Sequence, residues 1–146
     1  MKPRFNTILA PRLGALVLAA LLTAGYSTAS LGVESTLKLS GDQEVPPVTT
    51  RASGTGTIVI DADKSVSGGV TTTDIQGTAA HIHVGKPGTN GPVAVPLTKK
   101  GDTGWSVAPG AKLTDAQYQS YKAGDLYVNV HSAAHPDGEI RGQLKP

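Results

Sequence analysis

The chain predicts an all-β domain, an antiparallel β-sandwich with Greek-key links and one short inserted helix. Three observations point there. Many short stretches alternate apolar and polar residues with period two. Glycine and proline, 18 and 10 of the 146 residues, separate these stretches at close intervals. Only one stretch, Leu113 to Gly124, carries helix signals at both ends.

The first 29 residues read as a cleaved signal peptide. Lys2, Arg4 and Arg12 form a basic start, Leu13 to Ala24 an apolar run, and Ser27-Thr28-Ala29 a small-residue cleavage site. The apolar run falls short of the ~20 residues that span a bilayer; the alternative is an uncleaved N-terminal anchor. Tyr26 stands where a lipoprotein would carry its cysteine. Residues 30–146 then form a single domain, exported to the periplasm or the extracellular space.

The leader holds three of the 13 basic residues and none of the 11 acidic ones, leaving ten against eleven. No basic excess remains to favour nucleic acid, and no later segment is apolar enough to span a membrane. There is no cysteine, and the single methionine is Met1. Any metal is therefore held by nitrogen and oxygen ligands; thiolate zinc and blue-copper sites are excluded.

Val33 to Ser40 alternates and predicts the first strand, which the two prolines of Gly41-Asp42-Gln43-Glu44-Val45-Pro46-Pro47 bring to an end. Gly54 to Asp61 predicts a strand with Ile58 and Ile60 inward. Asp61-Ala62-Asp63-Lys64 is a turn; its acidic pair is a weak calcium signal without the rest of a calcium loop. Ser65 to Ile75 is a longer strand, with a bulge expected at Gly68-Gly69.

After the strand around His81, the glycine-rich residues 85–92 form a loop, and no helix opens from it to make a phosphate cradle. Pro92 to Thr98 and Gly104 to Val107 are short strands, the second with Trp105 as a core anchor. In the helix, Thr114 is the N-cap, Gln117 completes a capping box, Leu113 and Tyr118 occupy staple positions, and Gly124 ends it. Pro136-Asp137-Gly138 turns into a closing strand, Glu139 to Lys145, with Ile140 and Leu144 inward and Glu139, Arg141 and Gln143 outward.

All four histidines lie in two stretches, Ala79 to Gly85 and Leu126 to His135. Period two sends His81 and His83 to one face and Ala80, Ile82 and Val84 to the other. In the second stretch Leu126, Val128 and Val130 face the core, so Tyr127, Asn129 and His131 face away. If the two strands are neighbours, three imidazoles converge outside the core, a geometry suited to a transition metal. His135 is either a fourth ligand folded back over the ion or a turn histidine. Arg141 either attracts an anion beside the metal or pairs with Glu139. Tyr127 and Asn129 are candidates for holding an imidazole in its tautomer.

Three groups of residues resemble the CHRD (chordin-type) domain family. They are Gly41 to Pro47; His81-Ile82-His83-Val84-Gly85 with Gly91-Pro92-Val93; and Gly124 to His131 with Pro136 to Leu144. The resemblance covers nearly all of the exported part. A second, local similarity links His81-Ile82-His83 and Gly85 to the copper strand of copper–zinc superoxide dismutases. It implies an immunoglobulin-like or superoxide dismutase-like sandwich, with copper held by His81, His83 and His131. The zinc loop and structural cysteines of those enzymes have no counterpart here.

Two classes of function follow. One is a copper-binding protein with superoxide dismutase-like redox activity at a mononuclear site, its substrate superoxide, with zinc as the alternative ion. Copper storage or transfer without turnover is its close variant. The other is a binding or adhesion module in which the imidazoles are incidental. No serine near a histidine has the surroundings of a nucleophile.

Overall fold

The computed structural model describes residues 32–146; the expected signal peptide lies outside them. Eight strands form: β1 (Val33–Ser40), β2 (Ser53–Ile60), β3 (Val66–Thr73), β4 (Gly77–Val84), β5 (Val93–Lys100), β6 (Gly104–Val107), β7 (Leu126–Ser132) and β8 (Ile140–Gln143). One α-helix, α1 (Asp115–Lys122), lies between β6 and β7. Among the described residues no helix is long and apolar enough to cross a membrane.

The local rules hold where they depend on neighbours in sequence. In α1 the Thr114 hydroxyl accepts from the Gln117 amide at 3.2 Å, and the Gln117 side chain accepts from the Thr114 amide at 2.8 Å. Both halves of the capping box are present, satisfying two donors that the helix start leaves open. At the other end Gly124, at φ +77, donates to Tyr121 and Asp125 donates to Ser120, a Schellman closure only a left-handed residue permits.

The expected two-layer sandwich takes another form. Every ladder is antiparallel, and together they close one barrel in the order β1-β2-β3-β6-β5-β4-β7-β8. Closure depends on the Ser40↔Arg141 pair of β1 with β8 and on the β3–β6 ladder. Period two reports which side chains face inward, and it does so equally for two stacked sheets and for one sheet rolled on itself. The order also means that the β3–β4 connection passes over two strands, and that the segment carrying α1 returns the chain to pair β7 with β4.

The bulge expected at Gly68-Gly69 is absent: β2 and β3 pair without interruption from Ile60↔Val66 to Ser53↔Thr73. Those glycines serve close approach instead, for a Cβ on Gly69 would stand 2.1 Å from the Trp105 carbonyl oxygen. The irregularities fall on the histidine strand, at Ile82/His83 against β5 and at Gly77/Ala79 against β7.

The barrel interior is apolar. Leu37, Ile58, Ile82, Val128, Val130 and Ile140 are all within 1 % of full burial, and Trp105 joins them at 4 % exposure. Burial of each such aliphatic side chain stabilises the fold by about 1.5–3 kcal/mol. Much of the outer face of β4, β7 and β8 is buried as well, including His83, Tyr127, Asn129 and Arg141, beneath residues 85–92 and the segment after β1. Arg141, expected outward on an open face, is 1 % exposed, and Glu139 is 8 % exposed.

Candidate metal centre

β4 and β7 are neighbours, in a register that opposes Ala79 to His131, His81 to Asn129 and His83 to Tyr127. His131 therefore sits diagonally across from His81, within reach of its ring. One side chain nitrogen from each of His81, His83 and His131 lies within 4.8 Å of the others. Ring centroids are 5.0 Å apart for His81 and His131, and 5.4 Å for His81 and His83. The structure thus brings together three of the four histidines on the outer side of the barrel wall.

Backbone carbonyls set the tautomers of two of them. His83 Nδ1 donates to the Gly91 carbonyl at 2.9 Å, and His131 Nδ1 donates to the Pro136 carbonyl at 2.9 Å. Each ring then keeps its lone pair on Nε2. His83 Nε2 is buried with no hydrogen-bond partner, and His131 Nε2 stands 3.1 Å from His81 Nδ1. The donor set for an ion is His83 Nε2, His131 Nε2 and His81 Nδ1, the last of which donates its proton to His131 Nε2 here and would give it up on ligation. Nitrogens sharing an ion at about 2.0–2.1 Å stand about 3–4 Å apart, and the 3.1 Å contact already meets that spacing. The residues fit a metal ion: an orphaned buried lone pair, two neighbours beside it, and carbonyls on the far nitrogens.

At two of the rings, His81 and His83, the surroundings disfavour the charged form, in the direction that ligation requires. Burial lowers the pKa of His81, and the neighbouring His131 and His83 lower it further. Burial also lowers that of His83, with His131 and Arg141 acting in the same sense against the opposing hydrogen bond to Gly91 and the nearby Asn129 side chain.

His135 stands outside the group. Beyond Ser132 the chain leaves the strand, and the His135 amide and carbonyl close a tight turn with Ser132. Its side chain lines a cavity of about 230 Å³ with Glu44, Pro46 and Asp137. Arg141 does not pair with Glu139. Nη1 donates to the Thr89 carbonyl at 2.9 Å and to Asn90 Oδ1 at 3.3 Å; Nη2 donates to the Lys86 carbonyl at 3.1 Å and to Gln143 Oε1 at 3.2 Å. Glu139 instead accepts from Ser132 and Thr50, pinning the turn that carries the Pro136 carbonyl.

Tyr127 and Asn129 do lie against the imidazoles. The Tyr127 ring stacks on His83 at 4.9 Å and 7°, and Asn129 lies between His83 and Glu44, affecting the titration of both. Glu44 is the residue that sequence reasoning missed. It is 4 % exposed, its Oε1 has no partner, and burial raises its pKa against the opposing pull of Arg141. Its only signal was a place in the Gly41-to-Pro47 motif.

No curated protein and no solved structure matches this chain. A family model described as the CHRD domain matches residues 35–144, a span that includes β4, β7 and all three converging histidines. The chain belongs to the CHRD domain family.

Proposed function

We propose that this is an exported copper-binding CHRD protein with superoxide dismutase-like activity at a mononuclear centre of His81, His83 and His131. One observation carries the reading: ring nitrogens of three imidazoles meet on one wall, two of them aimed by backbone carbonyls. An all-imidazole set suits copper in both oxidation states, and copper stands highest in divalent affinity. When bound, copper supplies one-electron chemistry, so that two superoxide ions and two protons give dioxygen and hydrogen peroxide. The chain's own part is to hold three rings together, exclude water from His83, and leave His81 and His131 partly open to solvent. The N-terminal sequence supports export.

Purified protein lacking residues 1–29 is expected to take up one Cu(II), with nitrogen splitting in its electron paramagnetic resonance spectrum. The double substitution His81→Ala, His83→Ala lowers the affinity at least about 100-fold while the far-ultraviolet spectrum stays β-like. Copper uptake unchanged in that variant would sink the site. Pulse radiolysis tests turnover: loaded protein that does not accelerate superoxide decay leaves copper storage or transfer as the function.

A further inference from the structure

Arg141 is a buried charge with an unexplained position. Taking a guanidinium out of water costs several kcal/mol unless its donors are all engaged. Here the planar fork is engaged on both nitrogens, and three of its four acceptors, Lys86, Thr89 and Asn90, belong to a single loop. That loop ends at Gly91, whose carbonyl receives the His83 Nδ1 proton and whose amide donates to the Tyr127 hydroxyl at 3.3 Å. The guanidinium also lies 3.4 Å from the centroid of the Tyr127 ring, which stacks on His83. Two routes, one through the loop and one through the ring, therefore run from Arg141 to the same imidazole.

We infer that Arg141 is the positioning residue of the centre: it locks residues 86–91 so that the Gly91 carbonyl holds His83 as the Nδ1–H tautomer, with Nε2 free for the ion. This role rests on the three-imidazole centre proposed above. The fork matters more than the charge. A lysine ammonium is a single point donor and does not reach four acceptors in one plane.

The test compares wild type, Arg141→Met, Arg141→Lys and Tyr127→Phe; the last removes only the hydroxyl that holds the Gly91 amide. Long-range proton–nitrogen correlation on metal-free protein reads the His83 tautomer, and competition against a chromophoric chelator reads Cu(II) affinity. Wild type shows a single Nδ1–H form. Both Arg141 variants lose it and bind Cu(II) about 10–100-fold more weakly, and Tyr127→Phe moves both readouts the same way by less. A folded Arg141→Met that keeps the tautomer and the affinity overturns the role. Arg141→Lys behaving as wild type overturns it too. If neither Arg141 variant folds, Tyr127→Phe decides, with unchanged readouts counting against the role. Wild type that takes up no copper defeats the metal reading, while the tautomer comparison, made without metal, still decides the positioning.

Discussion

The wall made by β2 and β3 and the wall made by β4, β7 and β8 use strands of the same period, yet they treat their outer faces differently. On β3, Val70 and Thr72 are buried while Ser67, Thr71 and Thr73 are exposed, an ordinary half-solvated strand. On β7 every residue but His131 is buried, whichever face it occupies. The second wall is covered from outside by the loop after β4 and the segment after β1, so its polar side chains have left water. Most have found partners in loop carbonyls, as Arg141 and His131 have. Of the five buried side-chain atoms without a partner among the described residues, three belong here: Glu44 Oε1, His83 Nε2 and Asn129 Oδ1. A buried orphan costs about 1–3 kcal/mol.

Substitutions on the two walls break or sharpen this contrast. The largest effect on stability comes from beneath the centre. Ile82→Ala, between the two ligand positions of β4 but on the inner face, is expected to cost about 2–5 kcal/mol in urea unfolding. A loss under about 1 kcal/mol would mean that the core on that side is loosely packed. Next is Glu44→Gln, a test of the covered face itself. An acid whose folded pKa is raised contributes stability that is present at low pH and lost as pH rises through that folded value. For Glu44 the unfolded reference is 4.5. Glu44→Gln should then match wild type near pH 4 and exceed it near pH 7, by unfolding midpoints at both. A gap independent of pH would show that Glu44 is not held against its charged form. The smallest effect belongs to the solvated wall, where Thr71→Ser should stay within about 0.5 kcal/mol of wild type. A larger change there would erase the contrast.

Much of the molecule was legible in the chain. The bounds of β1 and β6, the capping box of Thr114 and Gln117, and the closure at Gly124 appear where neighbouring residues predicted them. The convergence of His81, His83 and His131 followed from period two and from the pairing of β4 with β7. His135 was an open choice because the four-residue offset from His131 means one face only while a strand continues; the structure places it in a turn after Ser132. Arg141 was read as facing outward, and it does; its burial was not legible because alternation reports the side of the wall and says nothing of what lies over it.

Periodicity, turn chemistry and composition are local, and they alone determined that the chain is β-rich, which residues face the core, where its helix starts and stops, and that a metal here meets only nitrogen or oxygen. Tertiary structure decided the rest. It closed the wall into a barrel, laid two loops over one side of it, and turned the carbonyls of Gly91 and Pro136 toward two imidazoles. The two carbonyls lie only eight and five residues from the imidazoles they hold, but the segments that aim them are fixed from across the fold, by Arg141 on Thr89 and by Thr50 on Glu139.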